Sequence, residues 1–249
     1  MDWFSRMPAD DGTLNLICFP YAGGFCSSYM QWQSALPDNI RVCPVLLPGR
    51  EGNTGVQRET DFSTLLCQMV DELLPQLRYC RYALYGHSMG AWLAWRLAVA
   101  ACERHMPPHA LCVSGQQAPH LPYPFPRLSG TTDDALLDFF HRVSAGRAFD
   151  EDALQNMMLP LIRGDIMLCE SHPSDASNTT LTCPLLAFGA YEDPLIPPDT
   201  LAAWDHEGTA GFELSLQHGG HDFIHAEAAM FLPRLCAGLE AYDDVSGVL

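Results

Sequence analysis

The stretch Tyr82-Ala83-Leu84-Tyr85-Gly86-His87-Ser88-Met89-Gly90-Ala91-Trp92-Leu93-Ala94-Trp95 decides how this chain folds. Its first four residues form an apolar run of strand type, and residues 91–101 carry good helix formers. Between them Gly86 and Gly90 bracket Ser88 in a G-x-S-x-G spacing, in the strand–turn–helix context that a nucleophilic serine needs. Such a serine occupies a strained turn, and side chains two positions either side would crowd the strand and the helix, so both glycines are steric requirements. At the helix start, the Met89 N–H is placed to face a developing oxyanion with help from the helix dipole. A glycine-rich turn bearing a surface serine is the plainer alternative, and the rest of the chain decides between the two.

Outward from this point, short apolar runs bounded by Gly or Pro alternate with segments of helical period. The runs at 14–21, 42–47, 82–85, 110–114, 184–189 and 212–217 read as strands, and 62–77 and 91–101 as helices. This is the pattern of a mostly parallel α/β sheet flanked by helices, and near-continuous apolar strands mean that both faces are covered. Across 249 residues it predicts a single domain, 1–249. From about 119 to 181 the rhythm changes. Pro119, Pro122, Pro124 and Pro126 lead into two helical segments, 133–144 and 151–169, with no strand between them. We read this as an inserted helical lid, against the alternative of an ordinary pair of surface helices.

A serine nucleophile in this fold takes its acid and then its base from loops after late strands. The loop after 184–189 supplies Asp193, stiffened by Pro194 and Pro197, with Glu192 and Asp199 as competing carboxylates. After 212–217, Gly219 and Gly220 present His221 as the general base, with His218 and His225 nearby. The spacing of His218 and His225 invites a zinc reading, but no third or fourth ligand accompanies them in the pattern. His87 lies in the elbow itself and reads as a packing or supporting group. The second oxyanion donor is expected from the loop after the first strand, where Ala22 is the first candidate and Gly23 the second. Ser88, Asp193 and His221, in that order, specify the α/β-hydrolase fold.

Composition narrows the function. A formal charge of −17 disfavours nucleic acid and anionic membranes as partners. All 13 basic residues are arginine, which removes Schiff-base lysine chemistry and the P-loop lysine. The 10 cysteines are scattered without C-x-x-C, and Cys18, Cys43, Cys112 and Cys183 lie in or beside strand runs, so buried free thiols are expected. Residues 1–11 lack the basic start and apolar run of a secretory signal, and no apolar stretch is long enough to span a bilayer. A cytoplasmic location follows as the expectation.

Taken together, FPYAGG (19–24), LPGRE (47–51), GHSMGA (86–91), SGQQAP (114–119), RGD with its following IMLCE (163–170) and GGHDF (219–223) resemble the external, type II thioesterases of nonribosomal peptide and polyketide synthases. The resemblance runs from residue 14 to about 239, with the motifs in the family's order. Tyr21 and Asp222 depart from it, in the place of a histidine and of a second aromatic, and bear on pocket detail only. The resemblance implies that Ser88 attacks the thioester of an acyl group on a carrier protein's phosphopantetheine arm, and that an acyl-enzyme is then hydrolysed. No metal or cofactor is expected, because the pantetheine belongs to the substrate. An editing role and acyl- or peptidyl-carrier partners are implied in the same way. Docking is expected through apolar contact near 119–126, with Arg127 or Arg147 meeting the phosphate. The expected state is a monomer. A small-ester carboxylesterase and a non-catalytic binding module remain as alternatives.

Overall fold

The computed structural model describes residues 1–143, 154–173 and 181–242. Six strands form one parallel sheet in the order β2-β1-β3-β4-β5-β6, with β1 at Leu14–Phe19, β2 at Ile40–Pro44, β3 at Tyr82–His87, β4 at Leu111–Ser114, β5 at Leu185–Ala190 and β6 at Phe212–Gln217. Every residue of β1, β3, β4 and β5 is buried, as continuous apolar runs require, whereas the edge strand β6 is only partly covered. The described helices are α1 (Cys26–Met30), α2 (Phe62–Gln68), α3 (Met89–Glu103), α4 (Asp133–Val143), α5 (Leu159–Glu170), α6 (Pro198–Ala202), α7 (Phe223–Ala226) and α8 (Ala228–Glu240). None of them is long and apolar enough to cross a membrane.

Five of the six strands differ from the sequence reading at one end or both, and at β1 and β2 the reasons are local. β1 stops at Phe19 because Pro20 follows and the Gly24 N–H turns back onto the Tyr21 carbonyl at 2.8 Å. β2 starts two residues early and stops at Pro44, and Val45 forms an isolated antiparallel bridge with Phe4. The predicted helix 62–77 is one helical run in three parts: α2, a π turn at Met69–Leu73 and a 3₁₀ turn at Leu74–Leu77. Pro75, with no N–H for the α ladder, sits where the pitch changes. Asp61 caps α2 by accepting the Thr64 N–H at 2.8 Å.

The sheet has a large apolar cluster on each face: one under α2 and α3, with Trp95, Leu93 and Trp204, and the other under α8, with Tyr29, Phe223 and Phe231. A third, small cluster of Leu128, Leu136, Leu159, Ile162 and Ile166 holds α4 against α5. Between β4 and β5 the described residues contain those two helices, a π turn at Leu154–Met158 leading into α5, and no strand of the sheet. The predicted helix ends at 144 and 151, together with Arg147, lie outside the described residues. Glu170 anchors the approach to α4, its carboxylate accepting the Leu128 and Ser129 amides at 2.5 and 3.1 Å. Cys18, Cys43, Cys112 and Cys183 are buried.

Candidate active site

At the end of β3 the chain reverses within three residues. Ser88 has φ 52° and ψ −122°, a conformation that costs a non-glycine residue on the order of 1–3 kcal/mol. Its amide is fixed to the Ser114 carbonyl at 2.9 Å. A Cβ on Gly86 would collide with the Gly90 carbonyl, and one on Gly90 would lie 2.5 Å from the Phe19 carbonyl oxygen. The steric requirement expected of the G-x-S-x-G spacing is therefore present on both sides. α3 begins at Met89, so the Met89 amide has no acceptor within the helix and lies at the positive end of its dipole, while the Ala91 amide is taken up by the Ser88 carbonyl at 2.9 Å.

Asp193 lies just past β5 and is closed into its turn by its own N–H on the Ala190 carbonyl at 3.3 Å. Its carboxylate is deeply buried, yet fully engaged. Oδ1 accepts the Leu195 and Ile196 amides at 2.8 and 3.2 Å, and Oδ2 accepts Nδ1–H of His221 at 2.8 Å. Holding the proton on Nδ1 leaves Nε2 as the basic nitrogen. The competitors point elsewhere. Glu192 is exposed and binds His218 Nδ1 at 2.8 Å and the Gly219 amide at 2.7 Å, while Asp199 sits in the first turn of α6. His225 packs its ring against Tyr21 at 5.5 Å and Trp32 at 6.5 Å.

His87 is a supporting group. Nδ1 lies 2.9 Å from Ser114 Oγ, which is itself 2.6 Å from the Tyr85 hydroxyl, and the ring also hydrogen-bonds the His221 backbone. Burial, with His221 and His225 adding to it, pushes its pKa well below 6.5, so the ring is neutral beside the His221 imidazole, 4.9 Å away.

Ser88, His221 and Ala22 open onto one cavity of about 350 Å³. Its depth is apolar, walled by Trp92 and Phe125 and roofed by Phe139, Phe140, Ile162 and Ile166 of α4 and α5. Tyr21 and Asp222, the two departures from the family pattern, both line it. Of the two candidates for the second oxyanion donor, Gly23 is engaged elsewhere, because its N–H donates to Asp165 Oδ2 at 2.7 Å. Ala22 remains. Asp165 in turn binds Arg50, a buried pair to which the sequence reading gave no role. The signal was present, since both residues fall in the LPGRE and RGD segments, but their pairing is visible only in three dimensions.

Comparison with known proteins adds an independent line. The thioesterase domain family matches residues 14–241. The linear gramicidin dehydrogenase LgrE of Brevibacillus parabrevis is 33% identical over 244 residues, covering 95% of this chain and 91% of that protein. Among solved structures, the RedJ thioesterase from the prodiginine biosynthetic pathway of Streptomyces coelicolor superposes with a TM-score of 0.83 at 32% identity, covering 94% of each chain. The type II thioesterase BorB from the borrelidin biosynthetic cluster gives 0.85 at 29%, covering 95% of this chain and 97% of its own.

Proposed function

The chain belongs to the thioesterase family, and on that premise we propose that Ser88, His221 and Asp193 form the triad of a hydrolase that clears acyl groups from the phosphopantetheine thioesters of carrier proteins. The observation that carries this is the 2.8 Å Asp193–His221 bond beside a strained serine at the mouth of an apolar cavity. His221 Nε2 takes the Ser88 proton as Oγ attacks the thioester carbon. The thiol leaves with that proton, and water, activated by the same nitrogen, releases the acid. Asp193 stabilises the imidazolium without being protonated. The Met89 and Ala22 amides stabilise the tetrahedral oxyanion, each by on the order of 3 kcal/mol.

The cavity under α4 and α5 suits an aliphatic acyl tail, and the 119–181 segment acts as its lid. Biosynthetic roles named for the similar RedJ and BorB support an editing function beside a peptide or polyketide synthase. We place the reaction in the cytoplasm, with no resident metal or cofactor, and the enzyme acting as a monomer. The exposed Arg127 is available to a pantetheine phosphate.

The name of LgrE raises a dehydrogenase reading. A dehydrogenase on a doubly wound parallel sheet rests its dinucleotide pyrophosphate on a G-x-G-x-x-G turn after the first strand. Here FPYAGG follows β1 without the G-x-G-x-x-G spacing, and the turn after β3 presents Ser88 instead. To test the proposal, a carrier protein is loaded with acetyl, longer acyl and aminoacyl groups, and thioester loss is followed by intact mass. Release by the wild type and not by Ser88→Ala supports it. Cleavage of simple oxygen esters with no release from carriers would replace it with the esterase reading.

A further inference from the structure

Arg50 and Asp165 are each 3% exposed in their side chains, and they come from segments far apart in sequence: the loop after β2 and the roof helix α5. Burying an ion pair in this way is a poor device for stability, because desolvation of both charges offsets their attraction. What the pair touches is more telling. Asp165 Oδ2 accepts the Gly23 N–H at 2.7 Å, its other oxygen holds Arg50 Nη2, and Arg50 Nη1 donates to the Gly24 carbonyl at 2.7 Å. The Gly24 N–H meanwhile donates to the Tyr21 carbonyl at 2.8 Å.

Peptide planarity turns this into a statement about Ala22. The Tyr21 carbonyl and the Ala22 N–H share one rigid trans unit and point in opposite directions, so whatever fixes the carbonyl fixes the N–H. Gly24 fixes that carbonyl, and Gly24 is held through its own carbonyl by Arg50, while the next peptide is held by Asp165. Contact from α5 closes the arrangement, since even a Cβ on Gly23 would lie 2.9 Å from Ile162 Cγ1.

We propose that Arg50 and Asp165 are positioning residues that aim the Ala22 N–H at the reaction's oxyanion, so that seating α5 over the cavity and completing the oxyanion hole are one event. This inference rests on the triad and the Ala22 donor proposed above. Removing the clamp leaves substrate contacts in the ground state largely intact and costs transition-state stabilisation.

The variants are Asp165→Asn, which keeps the shape and an acceptor oxygen for Gly23, Asp165→Ala and Arg50→Lys. Each is assayed for thioester turnover, and for inhibition by an acyl trifluoromethyl ketone whose Ser88 adduct places an oxyanion in the hole. Rates are expressed per serine labelled at completion by a fluorophosphonate, which counts only competent molecules. We expect kcat to fall about 100-fold in Asp165→Ala and less in Asp165→Asn, with the ketone weakened by the same factor as kcat/KM. KM should change by less than about threefold. Wild-type turnover per labelled serine, or a fall in kcat with unchanged ketone affinity, would overturn the inference, because a merely structural pair lowers the labelled fraction and nothing else. If the wild type itself neither bound the ketone nor depended on Ser88, the triad reading would fail and take this one with it.

Discussion

His172 gives the most quantitative prediction. It follows α5, and its ring stacks on Trp92 at 4.7 Å and meets the edge of Phe62 at 4.5 Å. Nε2 is buried with no hydrogen-bond partner among the described residues, and burial, assisted by Arg96, lowers the pKa from 6.5 to about 3. A lowered histidine pKa means that the folded state stays neutral while the unfolded chain gains a proton as the pH falls below 6.5. The folded protein therefore loses stability on acidification, through the window from 6.5 down to about 3. Between pH 7 and pH 5 the unfolded histidine gains about 2 kcal/mol from protonation and the folded one almost nothing, so this one residue removes about 2 kcal/mol of stability over those two pH units. His172→Phe keeps an aromatic ring against Trp92 and abolishes the titration. Urea unfolding followed by tryptophan fluorescence at both pH values should show the variant losing about 2 kcal/mol less than the wild type. Equal losses in the two proteins would mean that the ring is solvated or paired, and would refute the reasoning.

Four further outcomes are expected. Asp193→Asn should lower kcat about 10⁴-fold, by removing the acceptor that fixes the His221 tautomer, with the fold retained by circular dichroism. Gly86→Ala places a methyl on the Gly90 carbonyl and should lose 3 kcal/mol or so in chemical denaturation, along with fluorophosphonate labelling; near-wild-type stability would show that the elbow can relax. Ile162→Trp fills the roof of the cavity and should lower kcat/KM for long acyl thioesters at least about 10-fold more than for acetyl, measured on matched carrier substrates. Glu192→Gln should leave kcat within about twofold, because the exposed carboxylate binds His218 and not His221; a large loss would reassign the acid.

The sequence was most informative where local physics is decisive. Ser88 is legible because two glycines at ±2 have few other purposes between a strand and a helix, and the edge strand β6 matches the run 212–217 to the residue, its alternating Phe-Glu-Leu-Ser-Leu-Gln lying between Gly211 and the Gly219–Gly220 pair. Boundaries failed where apolar composition outran the ladder: Tyr21 and the run 45–47 look like strand, yet the Gly24–Tyr21 turn and the Val45–Phe4 bridge redirect them. In the sequence only loop stiffness favours Asp193 over Glu192; in three dimensions Asp193 bonds His221 and has its other oxygen held by two backbone amides, while Glu192 bonds His218. Gly23 stayed a candidate donor because nothing local announces a carboxylate 142 residues later in the chain. A buried Asp165 and a solvated one have the same neighbours in sequence, so its role became visible only through packing.

The buried Arg50–Asp165 contact also bears on inheritance and on engineering. Segments between the fourth and fifth strands are attractive units to exchange between relatives when a new acyl preference is wanted, since they roof the pocket and are joined to the sheet at two points. In this chain the Arg58 guanidinium on the Pro160 carbonyl helps to key the roof to the body, and the buried key is the Arg50 guanidinium on Asp165. A graft without a carboxylate at position 165 would strand that cation in a site only 3% exposed, at a penalty of about 3–5 kcal/mol. Against a total stability of about 5–15 kcal/mol for an ordinary domain, such a hybrid would be close to unfolding before its new specificity could be measured. Position 50 and position 165 should therefore be transplanted together, and substitutions at one should persist in descendants only when the other compensates.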